Sequence, residues 1–405
     1  MDLNLEHLRA ELARMDVLLR REVRRWQVSG QDPHDAFRGL YVSDEQANAL
    51  LERPLAASWG HLIRLDPAEE QAFQAAMATA EEHVRAVRAR AETQGATLRL
   101  VRLAEVFALS PFDVDVFLLS LAPALDLRYE RLYGYLQDDV TRKRPTVSLV
   151  LDLLCPSGPE RLQFLTRFAD DQPLFRFGLL ERAAEAGGHR TGLLNQALHP
   201  HETVVAWLLG HYQPSSDLGS GVALSEAILG PADPLLAAKA CQTLQQATAD
   251  LPIAIFRGPD EMGQQAAARL WAAHLRQPLL SIDLRAQGSE TPPANVVRIA
   301  LRDALLTGAL PFLRGWDVCV QNGVTPPSLL AEFCAFPGCA IIAGCAPWQP
   351  GGVERQRRLV CIDFAVPRVA QRLALWQHFL GDHRQIAGLP ALAGQFLLTA
   401  GQIRD

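Results

Sequence analysis

The sequence predicts a multidomain protein with an α-helical N-terminal half and a C-terminal α/β domain built on a parallel sheet. Apolar residues recur every three or four positions in residues 3–27, short helical segments follow from 97 to 181, and strand-like runs alternate with helices from 236 onward. A three-to-four repeat is typical of a helix that packs by one face, and alternating strands and helices are typical of a parallel sheet covered on both faces. We therefore predict four segments: 1–95, 96–215, 216–365 and 366–405.

The first segment, residues 1–95, is predicted to be a helical region. One apolar stripe on its first helix is formed by Leu5, Leu8, Leu12, Met15, Leu19, Val23 and Trp26. A further long helix is expected from Pro67, because proline and early acids favour a helix start and arginines favour its end before Gly95. The arginines of the first helix lie off the stripe, and we interpret them as a solvated basic side rather than a surface for nucleic acid or membrane.

The second segment, residues 96–215, has the order of a winged-helix arrangement. Short helices are expected at LRLVRLAEVFAL, SPFDVDVFLLSLA, RYERLYGYLQDD and RPTVSLVLDLLC, followed by an extended piece, PLFRFGLLERA. Ser110 before Pro111 is a good helix start. A DNA reader would need exposed Arg, Asn or Gln on the helix after Arg142–Arg144, but that helix is largely apolar. Protein docking or a structural role is therefore favoured over nucleic-acid binding.

The chain changes character between residues 185 and 235, which are rich in Gly, Pro and Ser and are predicted to form a linker zone around one helix. Beyond it, strands are expected at IAIFR, LLSIDL, ALPFLRG, CAIIAG and LVCIDF. Pro311 is expected to interrupt its strand, because proline cannot donate to a ladder.

The segment LPIAIFRGPDEMGQQ has the layout of a phosphate-binding loop, a strand that runs into a glycine-bracketed turn and a helix. Such a loop reads GxxxxGK[ST], in which lysine contacts the phosphates and a hydroxyl holds magnesium. Gly258, followed by Pro259, and Gly263 keep the spacing, but Gln264 replaces the lysine and Gln265 the hydroxyl residue. Two acids between the glycines, Asp260 and Glu261, add negative charge that would repel a triphosphate. The loop is therefore predicted to be degenerate.

A protein that hydrolyses nucleotide at such a loop also carries acids at the end of a later strand, which assist magnesium and polarise the attacking water. These acids are missing here. Arg314 and Gly315 stand at that strand end, and Asp317 follows two to three residues too late. Lys143 and Lys239 are the chain's lysines and neither follows a glycine, so no other segment matches an intact loop. We expect no catalytic residues, no metal site and no ATP or Mg²⁺ cofactor, with weak residual binding at a helix N-terminus as the remaining route for nucleotide.

Residues 236–405 resemble the AAA+ ATPases. The run RLVCIDFAVPRVAQRLALWQHFL is similar to the passage from the last strand of that fold into its helical lid, so 366–405 would be a partial lid. CAIIAGCAPW resembles the strand that carries a sensor residue, with Cys345 near the usual asparagine. The resemblance also implies that Arg355, Arg357 and Arg358 are arginine fingers for a neighbouring subunit, and that Arg404 matches a second sensor.

The N-terminal half is similar to the region that precedes the AAA+ modules in a bacterial group of large ATPases. Its run LSPFDVDVFLLSLAPALDLRYERLYGYLQDDVTRKRPTV carries this resemblance. Members of the group accompany extracellular contractile injection systems, and a degenerate first module is followed there by an intact second one. The resemblance therefore implies either a fragment of a longer ATPase or a separate partner polypeptide.

Composition limits the compartment and the class of partner. The net charge of −6 argues against a general polyanion binder. Seven cysteines without a CxxC pair indicate buried thiols in a reducing cytosol, and neither a signal peptide nor a membrane span is recognised. His199 and His201 flank Pro200 and cannot share a helix face as metal ligands. The protein is predicted to be cytoplasmic.

Three functions remain open from sequence. The first is a non-hydrolysing regulatory and assembly part of an AAA+ ATPase, which docks a protein client and braces an ATPase ring. The second is a winged-helix nucleic-acid-binding regulator, and the third is a structural adaptor without ATPase activity. The expected partners are a protein client or an ATPase module, or further copies of the chain, with nucleic acid and membrane disfavoured.

Overall fold

The computed structural model describes residues 2–28, 48, 51–52, 63–156, 158–183, 192–286, 292–350, 357–381 and 388–405. The chain divides into two compact units, Met1–Gln213 and Pro214–Asp405. The first unit is helical with a small two-stranded ribbon, and the second is α/β.

The N-terminal unit is organised around its first helix. Its α-helices are α1 (Leu3–Val28), α2 (Pro67–Thr93), α3 (Arg99–Val106), α4 (Pro111–Leu125), α5 (Arg128–Leu136), α6 (Val147–Leu154), α7 (Pro173–Arg176) and α8 (Glu202–Leu208). Helix α1 contacts α2 through α6. Met15 and Leu19 of the predicted stripe are buried, whereas Leu5 at its start is 45% exposed. The apolar stripe is therefore the face by which α1 packs.

The helix starts follow the capping signals in the sequence. Ser110 forms a capping box with Asp113, in which the hydroxyl accepts from the Asp113 amide and the carboxylate accepts from the Ser110 amide. Asp66 caps α2 by accepting from the amide of Ala68. These short-range bonds satisfy amides that a helix leaves unpaired at its N-terminus.

The arginines of α1 were expected to form a solvated basic side, but at least two of them form ion pairs within the unit. Arg24 lies 2.7 Å from Glu69, and Arg21 pairs with Glu70, so two cations of α1 bind the acidic first turn of α2. The expectation failed because it considered one helix alone, whereas the acids that neutralise these arginines lie more than forty residues away.

A short antiparallel ribbon lies between α7 and α8 in the chain. Strand β1 (Leu180–Arg182) pairs with β2 (Leu198–Pro200), and Thr146 adds a bridge to Ala197. The piece PLFRFGLLERA, expected to be extended, begins instead as the single helical turn α7. Gln172 precedes Pro173 in extended conformation, and proline at a first helical position favours such a turn.

The C-terminal unit contains a six-stranded sheet. Its strands are β3 (Val222–Ser225), β4 (Ile253–Arg257), β5 (Leu279–Asp283), β6 (Leu310–Arg314), β8 (Ala340–Gly344) and β10 (Leu359–Asp363), in the spatial order β10-β4-β8-β6-β5-β3. A separate pair joins β7 (Val324–Thr325) to β9 (Gln349–Pro350). All neighbours in the large sheet are parallel except β3, which runs antiparallel to β5.

Both faces of this sheet are covered by helices, as predicted. The helices of the unit are α9 (Asp233–Ala247), α10 (Glu261–Leu275), α11 (Pro293–Thr307), α12 (Pro327–Ala335), α13 (Val369–Leu380), α14 (Leu389–Gln395) and α15 (Ala400–Arg404). Ile253 and Ile255 of β4 face the cluster containing α11 and α12, and Ala254 and Phe256 face the cluster containing α9 and α10. Two-residue alternation along a fully buried strand produces this division.

Two expectations for this sheet were wrong. Residues 222–225, assigned to the linker zone, form the edge strand β3. Pro311 does not interrupt its strand, because it lies within β6 opposite Leu280, while pairing of β6 with β8 is confined to Phe312 and Leu313. The proline is thus tolerated on a side of the strand where no ladder partner requires its missing N–H.

The last three helices form a small layer of their own. Leu375 of α13 packs with Ala400 and Ile403 of α15, and Met262 of α10 lies against this cluster. The contact brings the end of the chain beside the helix that follows the degenerate loop.

The cysteine expectation holds in part. Cys155, Cys241, Cys319 and Cys339 are buried, but Cys345 and Cys361 are exposed. Among the described residues, no helix combines the length and apolar character required to cross a bilayer.

Candidate functional site

The degenerate loop lies where three parallel strands end. Gly258 follows β4 with φ of +121°, and its amide donates to the carbonyl of Gly344 at the end of β8 over 3.1 Å. Phe364, just after β10, donates to the carbonyl of Arg257 over 2.6 Å and accepts from the amide of Asp260 over 3.2 Å. A Cβ on Gly258 would lie 2.7 Å from the carbonyl carbon of Phe364. Glycine is therefore required here by close backbone approach rather than by a phosphate.

The Asp260 side chain occupies the N-terminus of α10. Its carboxylate accepts from the amide of Gly263 over 3.3 Å, and the backbone N–H of Ala400 in α15 also stabilises the charged form. Asp260 is only 5% exposed, and burial raises the pKa of its carboxyl above the ordinary value. A helix N-terminus attracts anions, and here the anion is supplied by the chain itself.

Gln264 is likewise turned inward. Its Nε2 donates to the carbonyl of Gly258 over 2.9 Å and to that of Gly344 over 3.4 Å, and the residue is 3% exposed. The side chain at the lysine position thus binds backbone oxygens within the turn. Pro259 is exposed and Gln265 is half-buried on α10. The five residues predicted to form the degenerate loop do lie together, and they are held by internal bonds.

The predicted acid position is part of an ion-pair network. Arg314 at the end of β6 lies 3.7 Å from Asp283, and Arg285 binds both Asp283, at 2.9 Å, and Glu261, at 2.7 Å. Hydrogen bonding from Arg285 lowers the pKa of Asp283. A Cβ on Gly315, which has φ of +69°, would lie 2.7 Å from Cγ of Arg285. Glu261 is therefore paired with a cation instead of adding a free negative charge to the loop.

Asp317, the acid that follows the expected position two to three residues too late, binds backbone amides. Its carboxylate accepts from the amide of Cys345 over 2.9 Å and from that of Ala346 over 2.7 Å. Cys345, near the predicted sensor position, is exposed, and burial together with nearby acids raises the pKa of its thiol. A thiol with a raised pKa is a poor nucleophile at neutral pH.

The predicted finger arginines have different surroundings. Arg357 directs its five N–H donors to four carbonyls of its own unit, those of Leu251, Phe333, Phe336 and Gly338. Burial lowers the pKa of this guanidinium.

Arg358, the neighbouring candidate, is exposed on 64% of its side chain and lies 3.5 Å from Asp250. Arg355 lies outside the described residues. Of the two described arginines, Arg358 is the more exposed, whereas Arg357 is partly buried.

The residues that complete this site are not predicted from the sequence. Asp260 caps α10 instead of repelling a ligand, and an aspartate three residues before an amide at a helix start is a recognisable capping signal. Arg285 and Phe364 carry no such local signal, because their partners come from other strands. Within the described ranges, no group of three or more His, Cys, Asp or Glu residues could hold a metal ion.

Substituting Asp260 tests the internal cap. We expect Asp260→Ala to lower the free energy of unfolding by about 1 kcal/mol, since an N-cap is lost, and Asp260→Asn to retain the cap without the buried charge. Because the folded-state pKa is raised, the folded protein binds this proton more tightly, so wild-type stability falls as pH rises above 3.8 toward the folded-state pKa. Urea unfolding of the three proteins at several pH values should show asparagine gaining on aspartate across that window.

Comparison with known proteins identifies the N-terminal part of the chain. The family described as "Winged helix domain, variant" matches residues 2–222. No curated protein matches the chain. A solved structure from a study entitled "Structural Basis for Katanin Self-Assembly" is 15% identical, covers 45% of this chain and 71% of that chain, and has a TM-score of 0.33. A TM-score this low carries no argument about fold or function. Because the family match spans more than half of the 405 residues, the chain belongs to the family with the variant winged helix domain.

Proposed function

We propose that this protein is a non-hydrolysing regulatory and assembly part of an AAA+ ATPase. Its winged-helix unit docks a protein client, and its α/β unit is a degenerate AAA+ module that braces an ATPase ring. The resemblance of the N-terminal half extends the proposal to ATPases that accompany contractile injection systems. The proposal includes no ATP or Mg²⁺ cofactor for this chain.

The observation that carries the proposal is the internal occupation of the loop. A phosphate at the N-terminus of α10 would have to displace the carboxylate of Asp260, which is 5% exposed and bound by the Gly263 amide. It would gain no lysine in return, because Gln264 stands at that position and bonds to backbone carbonyls. Placing a triphosphate beside this carboxylate is unfavourable, since like charges at close range in a buried site repel strongly.

In the parallel architecture, the loop lies where an AAA+ module would carry it. The loop follows the interior strand β4, sits at the carboxyl end of the parallel strands, and leads directly into α10. That location is where open α/β sheets bind ligands. A chain that keeps this layout while filling the loop with its own side chains fits a module retained for its shape.

Calorimetric titration with ATP, with and without Mg²⁺, tests the proposal. We expect no binding heat at up to about 1 mM nucleotide. A site that offers only the helix dipole would bind nucleotide with less than about 4 kcal/mol, which corresponds to a dissociation constant above about 1 mM. The variant Asp260→Asn with Gln264→Lys is the matched control, because it removes the internal charge and restores the lysine. Micromolar binding of Mg-ATP by the wild-type chain would overturn the proposal.

The nucleic-acid-binding alternative is less well supported. Helix α6, which follows the basic run Arg142–Arg144, buries Val147, Val150 and Leu151 completely. Helix α7, the next α-helix along the chain, has four residues. A helix that reads DNA bases in the major groove must expose polar side chains over two or more turns. Salt-sensitive retention of the protein on duplex DNA would favour this alternative.

A further inference from the structure

A groove of about 440 Å³ opens between helices of the N-terminal unit. Helices α1, α2, α3 and α4 all contribute to its walls. Its apolar floor is formed by Val84, Leu100, Val101, Ala104, Leu109 and Val114. Its charged lining residues are Glu11, Arg14, Glu81, Arg85, Arg88, Glu105 and Asp115. We call the surface formed by the floor and these charged residues the α1–α4 groove. Its volume lies in the range of sites that enclose a ligand or several anchoring side chains.

The cations of the groove are already neutralised by acids of the same unit. Arg14 lies 3.1 Å from Glu11 and also pairs with Asp115, and Arg88 lies 2.7 Å from Glu11. Glu11 is 2% exposed, so these bonds bury its charge against two guanidinium groups. These pairs hold Arg14 and Arg88 against acids of the same unit and leave little of their positive charge for a ligand.

The charge that remains at the mouth is negative. Arg85 also lines the groove, and it pairs at 2.7 Å with Glu82, which does not line it. Glu81 and Glu105 line the groove, are exposed, and form no ion pair with any residue that the structure describes. Burial raises the pKa of Asp115, although the hydrogen bond from Arg14 opposes this shift. An apolar floor with an acidic rim is therefore presented to solvent.

We propose that the α1–α4 groove binds an amphipathic, basic helix of a partner protein. A helix lays apolar residues at every third or fourth position into a groove between helices, and its flanking lysines or arginines would meet Glu81 and Glu105. Charge complementarity selects this occupant over an acidic segment or a nucleic acid, because the negative charges of Glu81 and Glu105 would repel both. The assignment rests on the docking role proposed above, but it does not depend on the state of the loop.

A designed peptide tests the groove directly. The probe is a fluorescein-labelled, 18-residue helix with leucines at three-to-four spacing and lysines on both flanks, measured by fluorescence anisotropy with the full chain. The comparison peptide carries glutamate in place of every lysine, and a third has the same composition in scrambled order. We expect micromolar binding of the lysine peptide, weakened by salt, and binding of the glutamate peptide at least about tenfold weaker.

Two variants and one control localise the binding. Ala104→Trp fills the groove and should abolish binding, whereas Glu81→Arg with Glu105→Arg should weaken the lysine peptide about tenfold and strengthen the glutamate peptide. Glu92→Arg is the matched control, because Glu92 is an exposed acid of α2 that does not line the groove. The double variant Glu81→Arg with Glu105→Arg keeps the test valid if Ala104→Trp does not fold.

The outcomes separate this inference from the proposed function. Absence of peptide binding, or binding that neither variant changes, overturns the groove assignment and leaves the calorimetric result on ATP untouched. Self-association in sedimentation velocity that Ala104→Trp abolishes would make a second copy the occupant and would also overturn it. Tight Mg-ATP binding, in contrast, would refute the non-hydrolysing role while the peptide result stands.

Discussion

Replacement of Gly258 by alanine is expected to lower the free energy of unfolding of the C-terminal unit by at least about 3 kcal/mol. Gly258 has φ of +121°, a conformation that L-residues rarely adopt. The new Cβ would also overlap the carbonyl oxygen of Phe364 and lie 2.7 Å from its carbonyl carbon. Because the obstacle is backbone, no side-chain rotation relieves it. The chain after β10 would have to move and break its bonds to Arg257 and Asp260.

Two glycine variants control for this effect, each measured by differential scanning calorimetry. Gly394→Ala lies in α14 with open space around the added Cβ, so it should leave the C-terminal unit unchanged or stabilise it by up to about 1 kcal/mol. Gly95→Ala has φ of +63° and open space, so it isolates backbone strain of about 1 kcal/mol in the other unit. Unfolding of Gly258→Ala at the wild-type temperature would contradict the close backbone contact between Phe364 and Gly258.

The strands that could be predicted are those whose own residues decide their structure. IAIFR and CAIIAG are short, mainly apolar runs that each contain two isoleucines and are bounded by Gly or Pro, and both form buried strands at those positions. Strand β3 gives no such signal, because Val222–Ser225 is short and mostly exposed, and it becomes a strand by pairing with β5. Edge strands of this kind depend on a partner distant in sequence.

The candidate site also has features that the local sequence predicts and features that depend on the tertiary fold. The loss of the phosphate lysine is visible in the sequence, because Gln264 stands at a fixed distance from Gly258. That the Gln264 amide then binds the Gly344 carbonyl, eighty residues away, follows only from the sheet order. The positions of missing chemistry are therefore local information, whereas the contacts that replace it depend on the tertiary fold.

Arg357 and Arg358 are adjacent in sequence, and the resemblance to AAA+ ATPases assigns both the same role. We expect Arg357→Ala to lower the free energy of unfolding by about 3 kcal/mol or more, since it leaves carbonyls at the ends of several elements without donors. Arg357→Lys should recover only part of this loss, because an ammonium has three donors and lacks the planar fork. Arg358→Ala should stay within about 0.5 kcal/mol of wild type, because its ion pair is exposed.

Calorimetry of these three variants, combined with an assay of a partner ATPase, distinguishes a structural arginine from a finger. Arg357 can reach a neighbour's nucleotide only by releasing the carbonyls of Leu251, Phe333, Phe336 and Gly338, and each bond lost would weaken the connection between α12 and the start of β4. Arg358 could turn outward at almost no cost. A stable Arg357→Ala protein that reduced the partner's ATPase rate would contradict the structural role. The same loss of rate in Arg358→Ala, at unchanged stability, would place the finger at Arg358.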